Sequence, residues 1–143
     1  MDQTPIPRLD ARSIEIDAPP ERVWDALVQE PPADGRLQRL GAALLGCRER
    51  RAHGPPGERG STLVGFRVEE AIPPSRLALT GAHRFSTYAL TFDIEPASGG
   101  GARLTATTDA VFFAPYRALV VGTGMHARLT DRMLARIRRR ATG

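Results

Sequence analysis

The sequence has no lysine; all 20 of its basic residues are arginine. That removes lysine Schiff-base and lysine general-base chemistry. It has one cysteine, Cys47, which excludes an internal disulfide and a thiolate zinc cage. No apolar run approaches the ~18 residues of a membrane span. The opening MDQTPIPRLDARS lacks the apolar stretch of a secretory leader, so a cytoplasmic protein is expected. GxSxG, P-loop, HExxH and CxxC patterns are all missing. His53, His83 and His126 are spaced without any sign of a shared metal ion, and neither metal nor cofactor is expected. The net charge of +4 follows from an arginine- and alanine-rich composition. The basic run ARIRRRATG suits the negative end of a helix dipole. Neither feature forms the broad basic face of a nucleic-acid binder, so no such partner is expected.

The 143 residues, 41% of them hydrophobic, suffice for one domain with a core of its own. Residues 1–9, with Pro5 and Pro7, read as a loose arm. Residues 10–17 alternate as a strand, with Ile14 and Ile16 on one face. Pro19 and Pro20 suit a first helical turn, so a helix over 19–29 is expected, burying Val23, Trp24 and Leu27. Pro31 and Pro32 stop it. Leu37, Leu40, Ala43 and Leu44 recur at helical spacing over 34–46; a strand from Leu40 to Arg51 is the rival reading. HGPPGERG, 53–60, is a loop.

Four strands follow at short spacing, as in an antiparallel meander. Over 61–72, Val64, Phe66, Val68, Glu70 and Ile72 share a face. A strand over 76–81 comes next. Over 83–95, Tyr88, Leu90, Phe92 and Ile94 share a face; PASGGG is a hairpin loop; over 102–113, Leu104, Ala106, Thr108, Ala110 and Phe112 share a face. Everything after Pro115 patterns as one long helix, with Tyr116, Leu119, Val120, His126, Leu129, Met133 and Ile137 as its apolar stripe. Gly122, Thr123 and Gly124 sit mid-stripe. Such small residues either let the helix approach the sheet closely or leave space for a ligand.

The segments IEIDAPPERVWDAL and VEEAIPPSRLALTG, and the closing helix, resemble the START-like (SRPBCC) helix-grip superfamily over nearly the whole chain. That superfamily includes birch-pollen-allergen-like proteins, lipid-transfer START domains and polyketide cyclase/dehydrase proteins. The resemblance implies an α+β fold: a curved antiparallel sheet gripping one long C-terminal helix, with two short helices after the first strand closing one end. It also implies a cavity between sheet and helix, and Trp24 plugging the core.

A cavity of this kind points to a small hydrophobic ligand, lipid- or polyketide-like, held by a carrier or sensor. The expected ligand-binding residues are Phe66, Val68, Tyr88, Leu90, Phe92, Thr108, Thr123, His126 and Met133. Tyr88 would orient a ligand carbonyl, or serve as a core tyrosine with a backbone partner. His126 would bond a ligand or act as a base, against a satisfied core histidine. Glu70 is a further candidate general acid/base, its rival being a solvated place at the sheet rim. The resemblance leaves room for a polyketide cyclase, aromatase or dehydratase, but the inward faces are mostly apolar, which favours binding. A partner-binding domain whose hollow is filled by Phe66, Phe92, Phe112 and Met133 is the remaining alternative. Monomer and homodimer are both open.

Overall fold

The computed structural model describes residues 7–30, 36–49 and 51–143, with side chains described throughout except at 36–39 and 41. Six strands form one open antiparallel sheet in the order β1-β6-β5-β4-β3-β2. They are β1 (Arg8–Ile16), β2 (Thr62–Leu63), β3 (Phe66–Ile72), β4 (Arg76–His83), β5 (Ser86–Pro96) and β6 (Ala102–Phe112). The helices are α1 (Pro20–Gln29), α2 (Arg36–Leu45), α3 (Ala114–Val120) and α4 (Met125–Thr142). The meander β2 to β6 runs in chain order, and β1 closes onto β6 with Ile14 opposite Leu104. This is the expected α+β helix-grip architecture.

The boundaries shift for local reasons. β1 starts at Arg8 rather than residue 10, because Ala110 donates its N–H to the Pro7 carbonyl and draws the chain onto β6. Residues 1–6 of the expected arm lie outside the described residues. α1 begins with Pro19 as its cap and Pro20 in its first turn, and buries Val23, Trp24, Ala26 and Leu27. α2 is a helix, as its spacing suggests, so the rival strand from Leu40 fails. It turns Ala42 inward and leaves Leu40 and Leu44 exposed. Residues 34 and 35 and the Leu37 side chain fall outside the description.

Three corrections bear on function. The expected strand 61–72 is broken at Gly65, which adopts φ +86°, and is bulged after Val68. Val68 opposes Leu79, but Glu70 opposes Ala78 and Ala71 opposes Leu77. The one-residue slip reverses the faces beyond it. Ala71 packs on the core, while Glu70 and Ile72 turn to solvent. Second, β4 runs on to His83, and the hairpin turns at Arg84–Phe85, with His83 opposite Ser86. Third, the closing helix is two helices. Gly124 takes φ +73° ahead of α4, a left-handed conformation that ends a helical run and that glycine adopts at little cost.

The core lies at one end of the grip. Val23, Trp24 and Leu27 of α1 meet Leu134, Ile137 and Ala141 of α4 over Ile16, Phe92, Ile94 and Leu104 of the sheet. Phe92, Val23, Leu104 and Ile137 are completely buried. At ~1.5–3 kcal/mol for each large apolar side chain buried, this packed end is the main source of stability. Polar clamps hold the other half of α4 to the sheet edge. Arg12 donates from Nε and Nη2 to both carboxylate oxygens of Asp131, at 2.6 and 2.8 Å. His126 Nε2 lies 3.2 Å from Asp10 Oδ1.

Candidate ligand-binding cavity

Beyond the packed core, the sheet and the first half of α4 stand apart. The inner face of β6 changes from Leu104 and Ala106 to Thr108 and Ala110, and β5 supplies only Ser86 before Tyr88. Short side chains there cannot reach α4, and a cavity of about 510 Å³ remains. That is within the usual range for a small-molecule site, ~300–1,000 Å³. Its walls are mostly apolar. Leu90, Ala110 and Phe112 form the floor, and Val120, Leu129 and Met133 form the roof. Ala42 and Leu45 of α2, with Val64 and Phe66, make the side wall.

Tyr88 is held in place by contacts within the protein. Its hydroxyl donates to the Gly65 carbonyl at 2.6 Å, and its ring packs edge-to-face on Phe66 with centroids 5.3 Å apart. Gly81, opposite Tyr88 in the β4–β5 register, makes room for this. A β-carbon there would come within 2.1 Å of the Gly65 carbonyl oxygen and 2.4 Å of the Tyr88 ring. Burial first, and the neighbouring Cys47 thiol second, hold the Tyr88 hydroxyl far above the usual phenol range, so it stays protonated.

The far end of the cavity is aromatic. Tyr116 of α3 stacks on Phe85 at 5.6 Å and meets His83 edge-on at 5.1 Å. The Phe85 N–H donates to His83 Nδ1 at 3.1 Å, so the neutral ring carries its proton on Nε2. Burial lowers the His83 pKa and favours that neutral form. Two hydroxyls in the cavity wall, Ser86 Oγ and Thr108 Oγ1, are buried without a hydrogen-bond partner among the described residues.

Of the nine residues expected to bind ligand, six line the cavity: Phe66, Tyr88, Leu90, Thr108, His126 and Met133. Val68 and Phe92 do not. Each faces inward but lies nearer the packed end, wholly buried in the core. Thr123 does not either; it is exposed at the break between α3 and α4, where its hydroxyl donates to the Leu119 carbonyl. Leu119 and Leu129 of the expected stripe are more than half exposed, because the break rotates the helical faces. Glu70 stands outside the cavity, 49% exposed and 3.2 Å from Arg76 on the outer face. The bulge that slips the register put it there. The filled-hollow alternative also fails in this structure, since Phe66, Phe112 and Met133 border the space without closing it.

Sequence reasoning missed Ser86, Cys47, His83 and Tyr116 as wall residues. Ser86 shares the face of Tyr88 and Leu90, so its alternation was a usable signal. His83 needed the hairpin turn placed two residues later. Among the described residues, no group of three or more His, Cys, Asp or Glu could hold a metal ion. No helix among them is long and apolar enough to cross a membrane.

An open antiparallel sheet, a closing helix and a hollow between them define a helix-grip domain with a cavity that is open to solvent on one side. Residues 11–142 match the family described as polyketide cyclase / dehydrase and lipid transport, and the chain belongs to that family. No curated protein sequence matches it. Solved structures share the fold. A conserved protein from Geobacillus kaustophilus is 19% identical, with TM-score 0.59 over 92% of this chain and 93% of that one. A Rhizobium leguminosarum protein is 16% identical, with TM-score 0.60 over 93% of each chain. A Bacillus halodurans protein is 17% identical, with TM-score 0.60 over 94% of this chain and 99% of that one.

Proposed function

We propose that the chain is a single-domain binding protein of the cytoplasm that carries or senses a small hydrophobic molecule, lipid- or polyketide-like, without transforming it. The observation that carries this reading is the cavity of about 510 Å³ with mostly apolar walls beneath α4. Removing apolar ligand surface from water there contributes about 25 cal/mol per Å². Phe66, Tyr88, Leu90, Thr108, His126 and Met133 are the proposed contacts.

Binding is favoured over cyclase or dehydratase chemistry because the walls are mostly apolar and Glu70, an expected acid/base, stands outside the cavity. The Tyr88 hydroxyl is donated to Gly65, and His126 faces Asp10. Native mass spectrometry of freshly purified protein, beside the same sample after denaturing extraction, tests the proposal. A discrete added mass that disappears on denaturation is expected. Apo mass in that sample, together with no displacement of a hydrophobic dye by any member of a lipid and aromatic panel, would rule the reading out. Conversion of a bound compound to a product would move the chain to the enzymes.

A further inference from the structure

Ser86 Oγ and Thr108 Oγ1 are unusual for a protein interior. The two residues are 6% and 7% exposed, line the same cavity, and have no hydrogen-bond partner among the described residues. A buried hydroxyl left in this state costs about 1–3 kcal/mol, and folded proteins retain few of them. Their positions are fixed by the β5–β6 register. Thr108 lies opposite Leu90, and Ser86 lies four residues before Leu90 on the same face. At ~3.4 Å per residue, the two hydroxyls stand roughly 13–14 Å apart along the cavity.

The two wall residues best placed to meet an anion, Arg136 and His126, each face a carboxylate outside the cavity. Arg136 shares Glu30 with Arg140, at 3.5 and 2.9 Å, and His126 lies 3.2 Å from Asp10. His83 is held neutral. Beside Ser86, whose partner across the sheet is Phe112, stands the Tyr116–Phe112–His83 ring cluster. A flat ring fits such a wall better than a chain does.

Resting on the cavity reading above, we infer that the site binds at two points: Ser86 and Thr108 anchor two uncharged oxygen groups at opposite ends of one elongated, ring-bearing ligand. Each hydroxyl can donate or accept, so a ligand hydroxyl or carbonyl satisfies it. A ligand oxygen would displace whatever water visits the hydroxyl and take over its bonds. The ligand class is therefore an elongated neutral aromatic oxygenated at both ends, not an anionic fatty acid.

Fluorescence titration with trans-stilbene, its para-hydroxy derivative and its para,para′-dihydroxy derivative tests this on the wild type and on Ser86→Ala, Thr108→Val and the double variant. In the wild type each added hydroxyl is expected to tighten binding roughly fivefold, the equivalent of about 1 kcal/mol. Each single variant should lose one such step, and the double variant should bind all three alike. Thr108→Val should unfold no earlier than the wild type without ligand, because it removes a polar group that has no partner among the described residues. Laurate should compete poorly with the dihydroxy compound. Equal wild-type affinity for all three stilbenes, or a Thr108→Val protein markedly less stable, overturns the two-point site and leaves the cavity reading standing. Efficient displacement by laurate overturns the uncharged-ligand assignment. Failure of every probe to bind overturns both.

Discussion

Tyr88 shows how one residue can be positioned by the backbone of two others. Its ring lies over Gly81 and its hydroxyl reaches the Gly65 carbonyl. Gly81→Ala should therefore cost about 1–3 kcal/mol, since the new methyl collides with a backbone oxygen and a ring that is already bonded. Urea denaturation measures that loss. Tyr88→Phe should cost a similar ~1–3 kcal/mol by leaving a buried carbonyl unbonded. Ligand affinity should change little, because the hydroxyl is not turned to the ligand. A large loss of affinity with unchanged stability would reverse that assignment. Close by, burial lowers the His83 pKa, so the unfolded chain holds more protons than the native one just below 6.5. Stability from this residue is complete above that value and is lost as the pH falls through it toward the lower folded pKa. The urea midpoint should fall over that interval in the wild type, and fall less in His83→Phe.

Most elements were legible because their periods are long and uninterrupted. β5 and β6 read correctly from Tyr88 to Ile94 and from Leu104 to Ala110, and α1 from its prolines and the Val23–Trp24–Leu27 stripe. The failures came where one residue changes the phase. Alternation assigns Glu70 to the inner face only if β3 is regular, and a bulge carries no strong local signature. The helix stripe assigned Thr123 inward only if the helix is continuous, and a left-handed Gly124 makes it two helices. Glu70 and Thr123 are thus displaced by backbone irregularities, whereas Val68 and Phe92 face inward as read and miss the cavity only because they lie at its packed end. Two measurements follow. Glu70→Gln should leave ligand affinity unchanged and shift stability by no more than about 0.5 kcal/mol, as for an exposed residue. Gly124→Ala should cost about 1–2 kcal/mol, because alanine is strained at that φ; an unchanged urea midpoint would mean that the break relaxes into continuous helix.

At the scale of the whole molecule, the packed core and the cavity occupy opposite ends of the grip. The end built on Phe92, Trp24 and Ile137 is close-packed, while the end built on Thr108 and Ala110 is hollow, and α4 spans both. The hollow end gives up burial that larger side chains would supply, and a bound ligand restores it. Ligand should therefore act as a stabiliser. At a hundredfold excess over Kd it adds about 2.7 kcal/mol, which for a domain of this size raises Tm by roughly 5–10 °C. Ala110→Phe, which projects a ring into the space, should remove that response. Because about 510 Å³ is open to receive the ring, the variant should not show the usual overpacking loss of ~1–3 kcal/mol. Thermal melts of both proteins, with and without a saturating stilbene, separate the cases. A ligand-dependent shift in the wild type that is absent from a stable Ala110→Phe protein places the ligand under α4. An equal shift in both places it elsewhere. Strong destabilisation of the variant would mean that the hollow closes in solution and that its walls, not a ligand, fill it.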